Sequence, residues 1–148
     1  MRLGCGILVA ALLAPPAAEA ASAGTPRLDY LLHCSGCHGP TGAGVPSRGI
    51  PRLQGEVAKF LWVPEGQAYL AQVPGVKNAN LDDAEVARLL DWLPGVMDSE
   101  HRPPDVPPFS AEEVARLRGA AQGDVLARRA AVGELLAARG IELRSYQD

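Results

Sequence analysis

Within five consecutive residues, Cys34-Ser35-Gly36-Cys37-His38, the chain brings together two thiols and an imidazole. Any fold built from this sequence has to present these three side chains around a single turn. Where the chain resides decides what the thiols can do. Arg2 is followed by an apolar run, Ile7 to Ala14, that is too short for a permanent membrane span. Ala18-Glu19-Ala20 then has the small-x-small form of a signal-peptidase site, with cleavage after Ala23 a close second choice. Residues 1–20 therefore read as an export signal, against the plainer alternative of an uncleaved anchor. Cys5 precedes the apolar run, whereas a lipoprotein cysteine follows it, so no lipid anchor is expected. Removal of the signal leaves Cys34 and Cys37 in an oxidising, periplasmic-type compartment.

A disulfide between those two cysteines would leave His38 unexplained. A zinc site wants four ligands, and the histidines, three in all, form no second cluster with cysteine. A thioredoxin-like pair needs a βαβ pattern, which the sequence lacks. C-x-x-C-H is instead the attachment signal for c-type haem. The two thiols add across the porphyrin vinyl groups, and the adjacent imidazole becomes the proximal ligand of the iron. One covalent haem c is expected on Cys34, Cys37 and His38. It also answers a question of composition. Hydrophobic residues make up 47% of the 148, as in globular proteins, yet aromatics only 5%, and a buried haem supplies the missing bulk. A formal net charge of -3 argues against nucleic acid as a partner.

The remaining elements read as helices. Thr25-Pro26 is an N-cap followed by proline at the first helical position, and Leu28, Leu31 and Leu32 recur at helical spacing. A helix is expected from about residue 26 into the motif. Residues 39–55 are rich in Gly and Pro and should loop around the cofactor. A short helix is expected over Glu65 to Gln72, stopped by Val73-Pro74-Gly75. Asp82 and Glu85 make a capping box, Val86, Leu89, Leu90 and Leu93 follow at helical spacing, and Pro94-Gly95 should end that helix. Residues 101–109 hold four prolines and should run extended. Ser110 and Glu113 open a helix through about Arg118, and a last helix is expected from Asp124 to Arg139. The fold class is all-α.

These segments resemble the class I monohaem cytochromes c. LDYLLHCSGCHG, GIPRLQG and LDDAEVARLLDWL stand for that family's first helix, haem loop and last helix, over residues 25–93. Residues 94–148 would be a Pro-rich connector and a helical C-terminal extension. The resemblance implies that the Pro51 carbonyl accepts the second imidazole N–H of His38, and that Trp92 packs between the terminal helices at the haem wall. It also locates a departure. The family's distal methionine segment is here Gln72-Val73-Pro74-Gly75-Val76, and valine cannot bind iron. Met97 is the first choice for a distal ligand, reached through a reversal at Pro94-Gly95, with His101 and an open or water-filled site as the alternatives. His33 is on the wrong side and is read as incidental.

The function expected is exported single-electron transfer between redox proteins, such as a periplasmic dehydrogenase and an oxidase or other cytochrome. No enzyme activity and no permanent membrane span are expected. The alternative is a haem protein with an open distal position that binds a gas or reduces peroxide, although no acid–base pair near Val73 supports peroxidase chemistry. A cytochrome c′-type bundle is disfavoured, because its haem motif lies near the C-terminus. The segment beyond residue 100 reads either as a docking arm or lid, or as a packing extension; its arginines fit a solvated helix face.

Overall fold

The structure, a computed structural model, describes residues 24–145, so the expected export signal and both candidate cleavage sites lie outside the described residues. Among those residues the chain is all-α, as its patterning indicated, and the only extended pairing is an isolated bridge between Val45 and Ile50. The first helix, α1 (Pro26–His33), starts where the sequence places it: Thr25 Oγ1 accepts from Leu28 N at 3.3 Å. It does not run unbroken into the motif. Cys34 leaves helical geometry at φ -122°, and a separate turn, α2 (Ser35–His38), carries Cys37 and His38. The leucines whose spacing signals α1 stay exposed, Leu32 at 68%; the helix instead buries Asp29 and Tyr30.

Residues 39–55 form the expected loop, folded back on itself through Leu53 N to Gly42 O (2.8 Å) and Val45 N to Ile50 O (3.0 Å). A buried 3-10 segment, Val57–Trp62, leads into α3 (Pro64–Gln72). The stop expected at Val73-Pro74-Gly75 is only a corner, because Pro74 opens a further turn, α4 (Pro74–Lys77).

The helix α5 (Asp83–Met97) begins on the capping box, with Glu85 N to Asp82 Oδ1 at 2.7 Å and Asp82 N to Glu85 Oε2 at 2.8 Å. Its end corrects the sequence reading. The helix passes through Pro94 and Gly95 and stops at Met97. Proline forfeits one N–H there, yet Asp98 N still bonds Pro94 O at 3.1 Å, and Leu93, Pro94 and Met97 are all buried. Burial of that apolar turn outweighs one lost hydrogen bond. The reversal comes instead at Asp98 and the 3-10 turn Ser99–His101.

Two further helices follow, α6 (Ala111–Gly119), capped by Ser110, and α7 (Val125–Ala137), capped by Asp124. Their apolar sides enter the same buried cluster as α1, α3 and α5, through Val114, Leu117, Val132 and Leu136. Helix α5 is packed between α1 and α6, while α3 contacts the 57–62 segment, α6 and α7.

Candidate functional site

Cys34, Cys37 and His38 are brought together by the break between α1 and α2. Both cysteines carry free thiols; Cys34 is half-buried and Cys37 exposed. Burial, reinforced by the charge of Asp29, pushes the Cys34 thiol up to about 11. Such a thiol stays protonated at neutral pH.

His38 is held from the opposite side by the loop. Its Nδ1 lies 3.0 Å from the carbonyl oxygen of Pro51, which accepts a hydrogen bond from the ring N–H. Burial depresses the imidazole below its ordinary value, with the Pro51 carbonyl acting against that shift. A neutral ring whose Nδ1 donates to a carbonyl has its Nε2 lone pair free for a metal. The loop reaches this geometry through Gly44. At φ +65° this residue sits so close that an added Cβ would lie 2.5 Å from the Pro51 oxygen. The pattern of the loop signals glycines in general; that Gly44 is the one making room for the Pro51 carbonyl is legible only in three dimensions.

This donor set fits haem c. Two unpaired thiols flank one turn, and the imidazole that follows has one nitrogen fixed and the other available. Trp92 packs against Tyr30 across the α1–α5 contact, ring centroids 6.1 Å apart, and the Tyr30 hydroxyl donates to Gly39 O at 2.5 Å. Those two rings and Met97 line a cavity of about 570 Å³, together with Leu31 and Val96. Cys34, Cys37, His38 and Pro51 are not part of that lining, so this cavity is not where the chemistry of the motif is concentrated.

The two distal candidates make different contacts. Met97 is buried against the very loop that carries Pro51: its carbonyl accepts from Gly55 N at 2.9 Å, and its Sδ is 2.6 Å from where a Gly42 Cβ would be. The reversal that was to swing it across the iron does not occur at Pro94-Gly95. His101 pairs through Nδ1 with buried Asp98, whose other oxygen accepts from Ala58 N at 2.9 Å, while the His101 carbonyl accepts from Trp62 Nε1 at 2.8 Å. His33 is exposed at the end of α1.

The sequence reading missed how the segment after α3 is held. Lys77 Nζ donates to the carbonyls of Arg118 and Ala120, and Arg118 donates to the carbonyls of Leu81 (2.9 Å), Ala79 (3.0 Å) and Lys77 (3.3 Å) and to Asp83 (2.8 Å). Nothing in the local pattern of either cation distinguishes it from a solvated surface charge. Among the described residues no three His, Cys, Asp or Glu side chains cluster as a metal site, and no helix is long and apolar enough to cross a membrane.

The chain is 32% identical to two cytochrome c-552 proteins of Thermus thermophilus. Each 103-residue alignment covers 57% of this chain, with 78% of the first relative and 69% of the second. No protein-family profile and no solved structure matches the chain.

Proposed function

Since the chain belongs to the c-type cytochrome family of cytochrome c-552, we propose that it is an exported carrier of single electrons, with one haem c bound through Cys34 and Cys37. The observation that carries this reading is the fixed imidazole: His38 Nδ1 at 3.0 Å from the Pro51 carbonyl, one turn after two unpaired thiols. The haem supplies an iron that alternates between ferric and ferrous states, its potential set by ligands and burial.

The chain's own residues do the rest. Cys34 and Cys37 supply the two sulfurs of the thioether links. The Pro51 carbonyl fixes the tautomer of His38 and makes the ring a stronger electron donor. Tyr30 and Trp92 pack α1 against α5. Partners are redox proteins, an exported dehydrogenase and an oxidase or second cytochrome, met through small transient contacts of under about 1,200 Å².

Expression with a cytochrome c maturation system, followed by mass spectrometry of the denatured protein, tests the attachment. One haem-sized addition, lost in Cys34→Ala with Cys37→Ala, is the expected result; an unmodified chain beside working maturation machinery rejects it.

A second reading is favoured by Val73, which stands in the segment where the family carries its distal methionine and cannot bind iron. The Met97 thioether lies against the loop that carries Pro51, and His101, its Nδ1 held by Asp98, keeps Nε2 free, so both side chains compete with an open position. An open position binds small gases, so carbon monoxide should bind the reduced protein readily, and Met97→Ala and His101→Ala should leave its spectrum unchanged. Loss of a sulfur-to-iron charge-transfer band in Met97→Ala would restore methionine as the ligand.

A further inference from the structure

Asp29 holds a carboxylate to which the described residues offer no cation. It lies in the first turn of α1 with 4% of its surface exposed, and its Oδ2 has no hydrogen-bond partner. None of the ion pairs among the described residues includes it. The amides nearest in sequence are already used, Leu28 N by Thr25 Oγ1 and Asp29 N by Thr25 O. The positive end of the helix offsets part of the cost, but a buried carboxylate with an empty oxygen wants a charged donor.

The donor's position is marked by Gly24. Helical side chains lean toward the N-terminus of their helix, so the Asp29 carboxylate reaches back past Thr25. A Cβ built on Gly24 would lie 2.5 Å from Asp29 Oδ1 and 3.7 Å from Oδ2. The backbone of residue 24 therefore lies beside the carboxylate, close enough that a side chain there would push the carboxylate aside.

We propose that the mature chain begins at Gly24 and that Asp29 receives its α-ammonium. The inference rests on the reading of the protein as exported, and it chooses between the two small-x-small sites, Ala18-Glu19-Ala20 and Ala21-Ser22-Ala23. A signal peptidase adds water across the Ala23–Gly24 peptide bond. The hydroxyl goes to the Ala23 carbonyl and one proton to the Gly24 nitrogen; the carboxylic acid so formed passes its own proton to the same nitrogen, leaving a carboxylate and an ammonium. That nitrogen is bonded to the α-carbon beside Asp29, and as an ammonium it carries three donors. Cleavage after Ala20 would put the charge three residues away and leave Oδ2 without it. Processing thereby completes a buried ion pair at the start of the helix that leads into Cys34.

Intact mass and N-terminal sequencing of the exported holoprotein test this directly and need no variant. Gly24 as first residue is expected. Ala21 as first residue overturns the pairing while leaving export intact; a chain that keeps residues 1–23 overturns export as well. The second measurement compares holoproteins beginning at Gly24 and at Ala21, each with and without Asp29→Asn. The substitution should lower the folding equilibrium constant at least tenfold in the shorter chain and less than twofold in the longer one. Losses of equal size in both, including failure of both to accumulate, would refute the ion pair.

Discussion

One backbone carbonyl, that of Pro51, meets two demands: it accepts from His38 Nδ1 and it occupies the space a Gly44 side chain would need. Gly44→Ala therefore strains a φ of +65° and displaces the carbonyl together. The expected cost is about 2–3 kcal/mol in chemical denaturation, from backbone strain plus displacement. In the haem-loaded protein the weakened hydrogen bond makes His38 a poorer donor, so the reduction potential should rise. Gly39→Ala is the control: its φ of +73° brings a similar strain, but nothing lies within 4 Å of the added carbon. It should lose about 1–3 kcal/mol from backbone strain alone and leave the potential in place. At this scale the motif itself was plain in the sequence, because covalent chemistry depends on local spacing. The roles of Gly44 and Asp29 were not, because each depends on what another stretch of chain brings alongside.

Among the elements, α5 and α6 show how charged side chains lock neighbours together. Arg118 satisfies three backbone carbonyls of the 77–81 segment, and its side chain is only 16% exposed. Arg118→Ala should cost about 2–4 kcal/mol and speed amide exchange around residues 78–81, since it leaves those carbonyls unpartnered. Arg116→Ala, on the same helix at an exposed position, should stay within about 0.5 kcal/mol of the parent. Asp91 on α5 accepts from Phe109 N at 3.0 Å and ties the extended 101–109 segment down. Burial raises its carboxyl above the ordinary 3.8, with the Phe109 amide and Arg102 opposing and Glu113 adding to the rise. The folded state therefore binds this proton more tightly than the unfolded chain does. Stability from this group is greatest below 3.8 and is lost as the pH climbs through the raised value. Asp91→Asn keeps an oxygen for Phe109 and should flatten that acid-side slope in melts recorded from about pH 3 to 7. The capping residues of α1, α5 and α6 were legible in advance, because a cap is a contact over three residues, whereas Asp124 was read as the first residue of the last helix and is its cap. The end of α5 was misread: Pro94 and Gly95 are breakers by propensity, and only the packing of Met97 under the 39–55 loop carries the helix past them.

For the molecule as a whole, the question is whether residues 111–145 are separable. Val114, Leu117, Val132 and Leu136 are buried in the common core. The tail returns to the end of the 39–55 loop as well: Lys59, paired with buried Glu56 at 2.7 Å, donates to Glu142 O at 2.9 Å, and Arg144 N donates to Glu56 Oε2 at 3.0 Å. A chain ended after Ser110 loses those four apolar side chains, each worth about 1.5–3 kcal/mol, and leaves Glu56 and Lys59 partly open. That sum is comparable with the whole margin of a domain, about 5–15 kcal/mol. The shortened chain should fail to melt cooperatively; a detachable lid would instead leave the melt of the remainder intact. By itself, the sequence determined the all-α class, the starts of α1, α3, α5 and α6 and the C-x-x-C-H spacing, because periodicity, caps and motifs act over a few neighbouring residues. Tertiary structure decided where α5 ends, which face of α1 is buried, that Met97 lies on the Pro51 loop, and that the C-terminal helices share the core. Those outcomes turn on contacts between residues tens of positions apart, where the burial of one surface by another overrides local preference.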